Sequence, residues 1–258
     1  MFEIERWAGA RTRGCGDGET RRWEDGPHPR PLPHRERGLT QHSALDSQNP
    51  EPRTQNQTQH SALSAQDSPR RLPVVVGISG ASGAALARQA ILRLGQAGYP
   101  AIVTCTSAGK RVWQEELDES YDDFVQGCLD RFPLEAIDVE DIGASIASGR
   151  RLTIGMLVVP CSMDTLSAIA HGRSTNLLER AADVTIKEGR RLVIVPRENP
   201  LSAIHLENML KLSRLGVRVV LPVPSFYLQP RTVDDIVADV VDRALGALGI
   251  QDLPERLK

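Results

Sequence analysis

The stretch best equipped for chemistry is Pro73 to Gly83, PVVVGISGASG. An apolar run breaks into a turn with glycines at 77, 80 and 83. Leu86, Ala90, Ile91 and Leu94 then recur at helical spacing. Glycine allows a sharp turn and a close approach, and a helix starting there aims unpaired N–H groups and the positive end of its dipole at an anion. That chemistry is the holding of a nucleotide-type phosphate. Close packing of helix on strand would need the same glycines, so the turn alone leaves both readings open. The pattern of strand, hydroxyl and helix recurs twice, at Cys105-Thr106-Ser107 and at Cys161-Ser162-Met163-Asp164-Thr165.

Charged and phenolic groups follow. Arg180, Asp183 and Lys187 lie along Leu177 to Gly189, Arg197 and Glu198 lie in VPRENPL, Tyr227 in PVPSFYLQP, and Arg243 on the last helical segment. Spacing alone allows Arg180 and Lys187 to be a solvated helix face, and Glu116, in the run Glu115 to Glu119, to be an exposed acidic patch. Tyr227 could equally be a packing residue. His171 and His205 have no second ligand at useful spacing and read as helix-terminal or capping residues, so no metal site is expected. By residue type, Met163 and Met209 fit core filler.

These groups need a scaffold. Val74 to Val76 is β-branched and unalternated, as in a strand buried on both faces. Further strands are expected at Tyr99 to Cys105, Gly155 to Pro160, Arg191 to Val195 and Val217 to Leu221, each followed by helical periodicity. The helix after the second strand is expected from Ala108, capped by Thr106 and Ser107. Thr232, with Asp235 three residues on, opens a last amphipathic helix. Asp118 to Arg151 reads as acidic and irregular, and its small-residue run, Gly143 to Gly149, is compatible with close subunit packing. Alternating β and α elements predict an α/β fold, a Rossmann-like, doubly wound, mainly parallel sheet flanked by helices, with ligands at its carboxyl edge.

Composition divides the 258 residues into an extension at 1–72, one domain at 73–250 and a short tail at 251–258. The first 72 residues hold ten acidic and eleven basic residues, every basic one an arginine. TQHSALDSQ at 40–48 is nearly repeated by TQHSALSAQ at 58–66. Such a segment buries too little apolar surface to offset its ordering entropy, and it reads as a low-complexity disordered extension or translated upstream sequence. It lacks the apolar core of a signal peptide, and its nearly cancelling charges argue against a nucleic-acid arm. No apolar run is long enough to span a bilayer. The four scattered cysteines read as free thiols in a reducing cytoplasm.

GISGASG at 77–83, PCSMDTLSAIAHG at 160–172, ERAADVTIKE at 179–188, VPRENPL at 195–201, HLENM at 205–209 and PVPSFYLQP at 222–230 occur in this order. Together they resemble the UbiX/Pad family of flavin prenyltransferases, a branch of the homo-oligomeric flavin-containing cysteine decarboxylase-like proteins. The resemblance covers residues 73–250 and none of the extension. It implies metal-independent transfer of a dimethylallyl group from dimethylallyl monophosphate to reduced FMN, at N5 and then C6. The product, prenylated FMN, would be the cofactor of a partner UbiD-type decarboxylase in pathways such as ubiquinone biosynthesis. A large homo-oligomer, commonly a dodecamer, is implied as well.

Residue by residue, the resemblance places Gly80, Ala81, Ser82, Thr106, Ser162, Met163, Asp164, Thr165 and Arg197 at the FMN. It places Arg180, Lys187, Tyr227 and Arg243 at the dimethylallyl phosphate. Ser82, Glu116 and Glu198 are the implied catalytic groups, with Glu198 as acid/base relayed through Ser82. Arginine, lysine and tyrosine donors can stabilise a departing phosphate without metal. The chain departs from the family pattern at Asn199, Gly189 and Ser225, where RETP, KERR and PAFY are familiar, and at Thr175-Asn176, where an aspartate is common; the first three keep the reactive groups, so tuned activity is expected. A cysteine-type decarboxylase of the same fold is the alternative, but its Pro-Ala-Ser-Ala-Asn-Thr loop is replaced here by Pro160 to Thr165. A non-catalytic flavin carrier is a further alternative, against which Glu116 and Glu198 both stand.

Overall fold

A computed structural model describes residues 71–253 of the chain. The extension and its internal duplication lie outside the described residues, apart from Arg71 and Leu72. Arg71 already belongs to the fold: its guanidinium donates to the Ala97 carbonyl at 2.8 Å and lies 4.2 Å from the centre of the Tyr99 ring.

Among the described residues six strands form one parallel sheet: β1 (Val74–Ile78), β2 (Ala101–Cys105), β3 (Leu134–Ala136), β4 (Gly155–Cys161), β5 (Arg191–Pro196) and β6 (Arg218–Val219). Their spatial order is β3-β2-β1-β4-β5-β6. The helices are α1 (Ala84–Gln96), α2 (Ser107–Glu116), α3 (Tyr121–Leu129), α4 (Met163–Ala170), α5 (Leu177–Lys187), α6 (Ala203–Arg214) and α7 (Val233–Leu248). This is the doubly wound arrangement expected from the sequence. Its direction of winding reverses between β1 and β4, which opens a crevice at their carboxyl ends.

Strand alternation divides the core. Val74, Val76 and Ile78 of β1 face α1, α2, α3 and α7, where Trp113, Phe124 and Leu245 are buried. Val75 faces α4, α5 and α6 with Met156, Leu178 and Ile194. Gly77 shares that second face because a Cβ there would come within 2.9 Å of Leu178 Cγ.

The supposedly irregular stretch 118–151 is more ordered than its sequence suggests. Ser120 caps α3 by accepting from Asp123 N at 3.1 Å, and α3 buries Tyr121, Phe124, Val125 and Cys128. β3 follows as a sixth, edge strand pairing only with β2. Several boundaries shift: β2 starts at Ala101, β4 and β5 each run one residue further, α2 starts at Ser107 with Thr106 alone as cap, and the fifth expected strand shrinks to the two residues of β6. His205 closes a capping box with Ser202 at the start of α6, and His171 caps the end of α4. Among the described residues no cluster of His, Cys, Asp or Glu could hold a metal ion.

Candidate active site

The crevice begins where β1 and β4 end. The Ser79 hydroxyl donates to the Pro160 carbonyl at 3.1 Å and accepts from Ser162 N at 2.8 Å, so one buried side chain ties the two strand ends together. Gly80 then lies so close to α2 that an added Cβ would stand 2.5 Å from Ala108 Cβ. Gly83 has φ of 120°, a conformation costly for any residue with a side chain, and from it α1 departs.

Gly83 provides no side-chain cap to α1. Its place is taken by Glu116, the last residue of α2, whose carboxylate accepts from Gly83 N at 2.9 Å and from Ala84 N at 2.8 Å. The Ser82 hydroxyl lies beside the same carboxylate and helps to keep it ionised. Partial burial alone would push the Glu116 carboxyl up, but the Ser82, Gly83 and Ala84 hydrogen bonds and the nearby Arg197 charge outweigh it and hold it below its usual range. Glu116 is therefore an anion at neutral pH and an acceptor. Arg197 is set by its own backbone, which donates to the Cys161 carbonyl at 3.2 Å at the end of β4.

One expectation changes here. The anion facing the N-terminus of α1 is the protein's own Glu116, because a carboxylate 33 residues away in sequence reaches its N–H groups. The Ser82 hydroxyl lies beside Glu116, while the exposed Glu198 accepts from its neighbour Asn199 N at 3.0 Å.

Two other helices start at this edge. Thr106 accepts from Gly109 N at 3.0 Å at the head of α2, and Ser162 accepts from Thr165 N at 3.2 Å at the head of α4, while also donating to the Thr165 hydroxyl at 3.1 Å. Asp164 faces outward and pairs with Arg173 at 3.0 Å, and Met163 is partly buried against the core. The thiols beside these caps are inert. Burial pushes Cys105 up to about 12 and Cys161 higher still, so neither is a nucleophile at neutral pH.

The four residues implied for the dimethylallyl phosphate are carried by other elements. Arg180 and Lys187 are on α5, where Arg180 pairs with Asp183 at 3.0 Å and Lys187 with Glu188 at 2.7 Å. The loop before α5 is accounted for: Asn176 accepts from Glu179 N, and the buried Glu179 accepts from both N and Oγ1 of Thr175 at 2.8 Å. Tyr227 sits on a 3₁₀ turn, Phe226–Leu228, with 77 % of its surface exposed. Arg243, ten residues into α7, reaches back to the Ser225 hydroxyl before that turn at 3.4 Å. A cavity of about 440 Å³ lies against Ser225, Gln229, Arg231 and Asp239. Sequence reasoning missed Ser79, Ser225 and Asp239. For Ser79 the signal was a hydroxyl inside the glycine turn, and for Ser225 it was the departure from PAFY.

A family model described as flavoprotein matches residues 61–245. A flavin prenyltransferase UbiX from Halalkalibacterium halodurans is 48 % identical over 181 residues, which cover 68 % of this chain and 88 % of that protein. Among solved structures, a dodecameric FMN-dependent UbiX-like decarboxylase from Escherichia coli O157:H7 is 41 % identical, with a TM-score of 0.67 over 72 % of this chain and all of that one. AnUbiX, solved with FMN and dimethylallyl pyrophosphate, is 34 % identical, with a TM-score of 0.67 over 73 % of this chain and 99 % of that one. A turn sealed by Ser82 and Glu116 at the β1–β4 crevice and these matches along the whole described domain lead to one assignment: the chain belongs to the flavoprotein family and, within it, to the UbiX flavin prenyltransferases.

Proposed function

We propose that the chain transfers the dimethylallyl group of dimethylallyl monophosphate to reduced FMN, and that prenylated FMN is handed to a UbiD-type decarboxylase. The observation that carries this reading is the cluster of Ser82, Glu116 and Arg197 at the crevice, within a domain 48 % identical to a flavin prenyltransferase.

The residues at the crevice fit FMN. Of the three helix N-termini there, that of α1 is taken by Glu116 and that of α4 carries Asp164. That of α2 has Thr106 as cap and no acid in its first turn, which makes it the best placed to meet the flavin phosphate. Gly80, Ala81 and Ser82 with Ser162 to Thr165 would flank the ring, and Arg197 would meet its polar edge. Bound reduced FMN supplies the two nucleophilic positions, N5 and C6, at which the prenyl unit is attached. The chain's own work is electrostatic and acid–base. Arg180, Lys187, Tyr227 and Arg243 stabilise charge on the leaving phosphate, Ser82 is held in place by Glu116, and Glu198 takes up the proton released at C6.

Within one copy Lys187 and Ser82 stand at opposite edges of the sheet. Ser82 follows the carboxyl end of β1, whereas Lys187 closes α5 four residues before β5 begins at the opposite edge, and a five-residue strand spans about 17 Å. Neighbouring copies in a homo-oligomer would supply the phosphate-binding groups, in keeping with the dodecameric relative. Cys105, Cys128 and Cys161 are free and buried, which suits the reducing cytoplasm, and among the described residues no helix is long and apolar enough to cross a membrane.

The test is anaerobic incubation of the protein with reduced FMN and dimethylallyl monophosphate, followed by mass spectrometry of the released flavin. A flavin heavier by one C5 prenyl unit is expected. Unmodified FMN from folded, flavin-loaded protein would refute the assignment.

A further inference from the structure

We infer that Ser225 and Asp239 are positioning residues for the prenyl-donor phosphate. Through them the turn carrying Tyr227 is clamped to the helix carrying Arg243. This rests on the reading above, in which Tyr227 and Arg243 bind that phosphate.

The Ser225 hydroxyl has one proton and two lone pairs. Its proton goes to Asp239 Oδ2 at 2.6 Å, a short bond of the charge-assisted kind, and its oxygen accepts from Arg243 Nη2 at 3.4 Å. Asp239 is 9 % exposed and lies one helical turn before Arg243 on α7. Ser225 is thereby held at a defined place on α7. It immediately precedes the 3₁₀ turn Phe226–Leu228, which ends at Gln229 with φ of 52°, a left-handed conformation at a residue other than glycine. Without an anchor, a turn whose Phe226 and Tyr227 are each more than three-quarters exposed would have little to hold it. The Ser225 bridge sets the separation of phenol and guanidinium before any anion arrives. Preorganisation of this kind acts on donor affinity and leaves the flavin half of the site untouched.

The experiment is steady-state prenylation by the full-length oligomer with dimethylallyl monophosphate varied, comparing Ser225→Ala, Ser225→Thr, Asp239→Asn and Arg243→Gln, with FMN affinity measured for each. Ser225→Ala and Asp239→Asn are expected to raise the donor KM about five- to tenfold, with kcat within twofold and FMN affinity unchanged. Ser225→Thr, which keeps the hydroxyl, restores the donor KM. A wild-type KM in Ser225→Ala beside a raised KM in Arg243→Gln overturns the clamp and leaves the role of Arg243 standing. A wild-type KM in Arg243→Gln overturns both. A fall in kcat without a change in KM, or a parallel loss of FMN affinity, also overturns the clamp. Absence of prenylation by the wild type refutes the parent reading instead.

Discussion

The glycine turn after β1 and the proline-rich turn after β6 are both short loops with a hydrogen-bonded hydroxyl, yet they are built in opposite ways. The first is sealed from within. Ser79 ties β1 to β4, Glu116 satisfies the start of α1, and Ser82 is held by the same carboxylate. The second is tied to α7 by Ser225 at one end and by the Arg231 backbone to Asp235 at the other, and presents Phe226 and Tyr227 to the outside at 76 % and 77 % exposure. On the proposed reading, the flavin side of the reaction is preorganised within a single chain, whereas the phosphate side would be completed by a neighbouring copy.

The sharpest way to break that contrast is at Glu198, which lies outside the sealed cluster. Glu198→Gln is expected to bind FMN normally while prenylation falls by about a hundredfold or more, as for loss of a general base. Product formation at the wild-type rate in single-turnover assays would remove Glu198 from the mechanism. On the open side, Tyr227→Phe removes one donor to the phosphate. It should raise the donor KM about tenfold while FMN affinity stays constant, the size of one hydrogen bond to a charged group. A matching loss of FMN affinity would mean that the two sides are not separate.

The sealed side has a smaller and different signature. Glu116→Gln replaces the charged cap of α1 and should cost about 1 kcal/mol, seen as a fall in Tm of about 2–4 °C. Because the folded carboxyl is held below its usual range, its contribution is complete above the unfolded value of about 4.3 and fades as the pH drops through the lower folded value. Thermal melts from pH 7 to pH 3 should therefore bring wild type and Glu116→Gln together at the acid end, and a constant gap would contradict the cap. The smallest effect is expected from deleting residues 1–70. FMN affinity and Tm should stay within error, since the cut falls before Arg71 and its contact with Tyr99. A large loss would show that the compositional reading of the extension is wrong.

What the sequence made legible was whatever rests on local pattern. The unalternated runs of β1, β4 and β5, the three hydroxyl-capped helix starts and the order of the motifs all depend on residues close together in the chain. α3 was hidden because Asp122 and Asp123 dominate the text, although Tyr121, Phe124, Val125 and Cys128 keep helical spacing beneath them. β3 was hidden for another reason. Leu134, Glu135 and Ala136 pair on one side only and are not buried, so no apolar run marks them. Glu116 looked like one member of an acidic surface patch because the N–H groups that define its role belong to Gly83 and Ala84, on the far side of β2 in sequence. Ser225 and Asp239 meet only because the chain turns back along α7, a contact that no spacing rule anticipates.

For an enzyme whose flavin is cargo, the internal cap on α1 has a bearing on turnover. A helix start that aimed free N–H groups at the ligand would add to the grip on FMN and on its prenylated form alike, and would lengthen the stay of both. With Glu116 already filling that place, the N–H groups of Gly83 and Ala84 add nothing to that grip. On the proposed reading, in which the finished flavin is handed on, such a start of α1 suits a workbench and not a permanent holder.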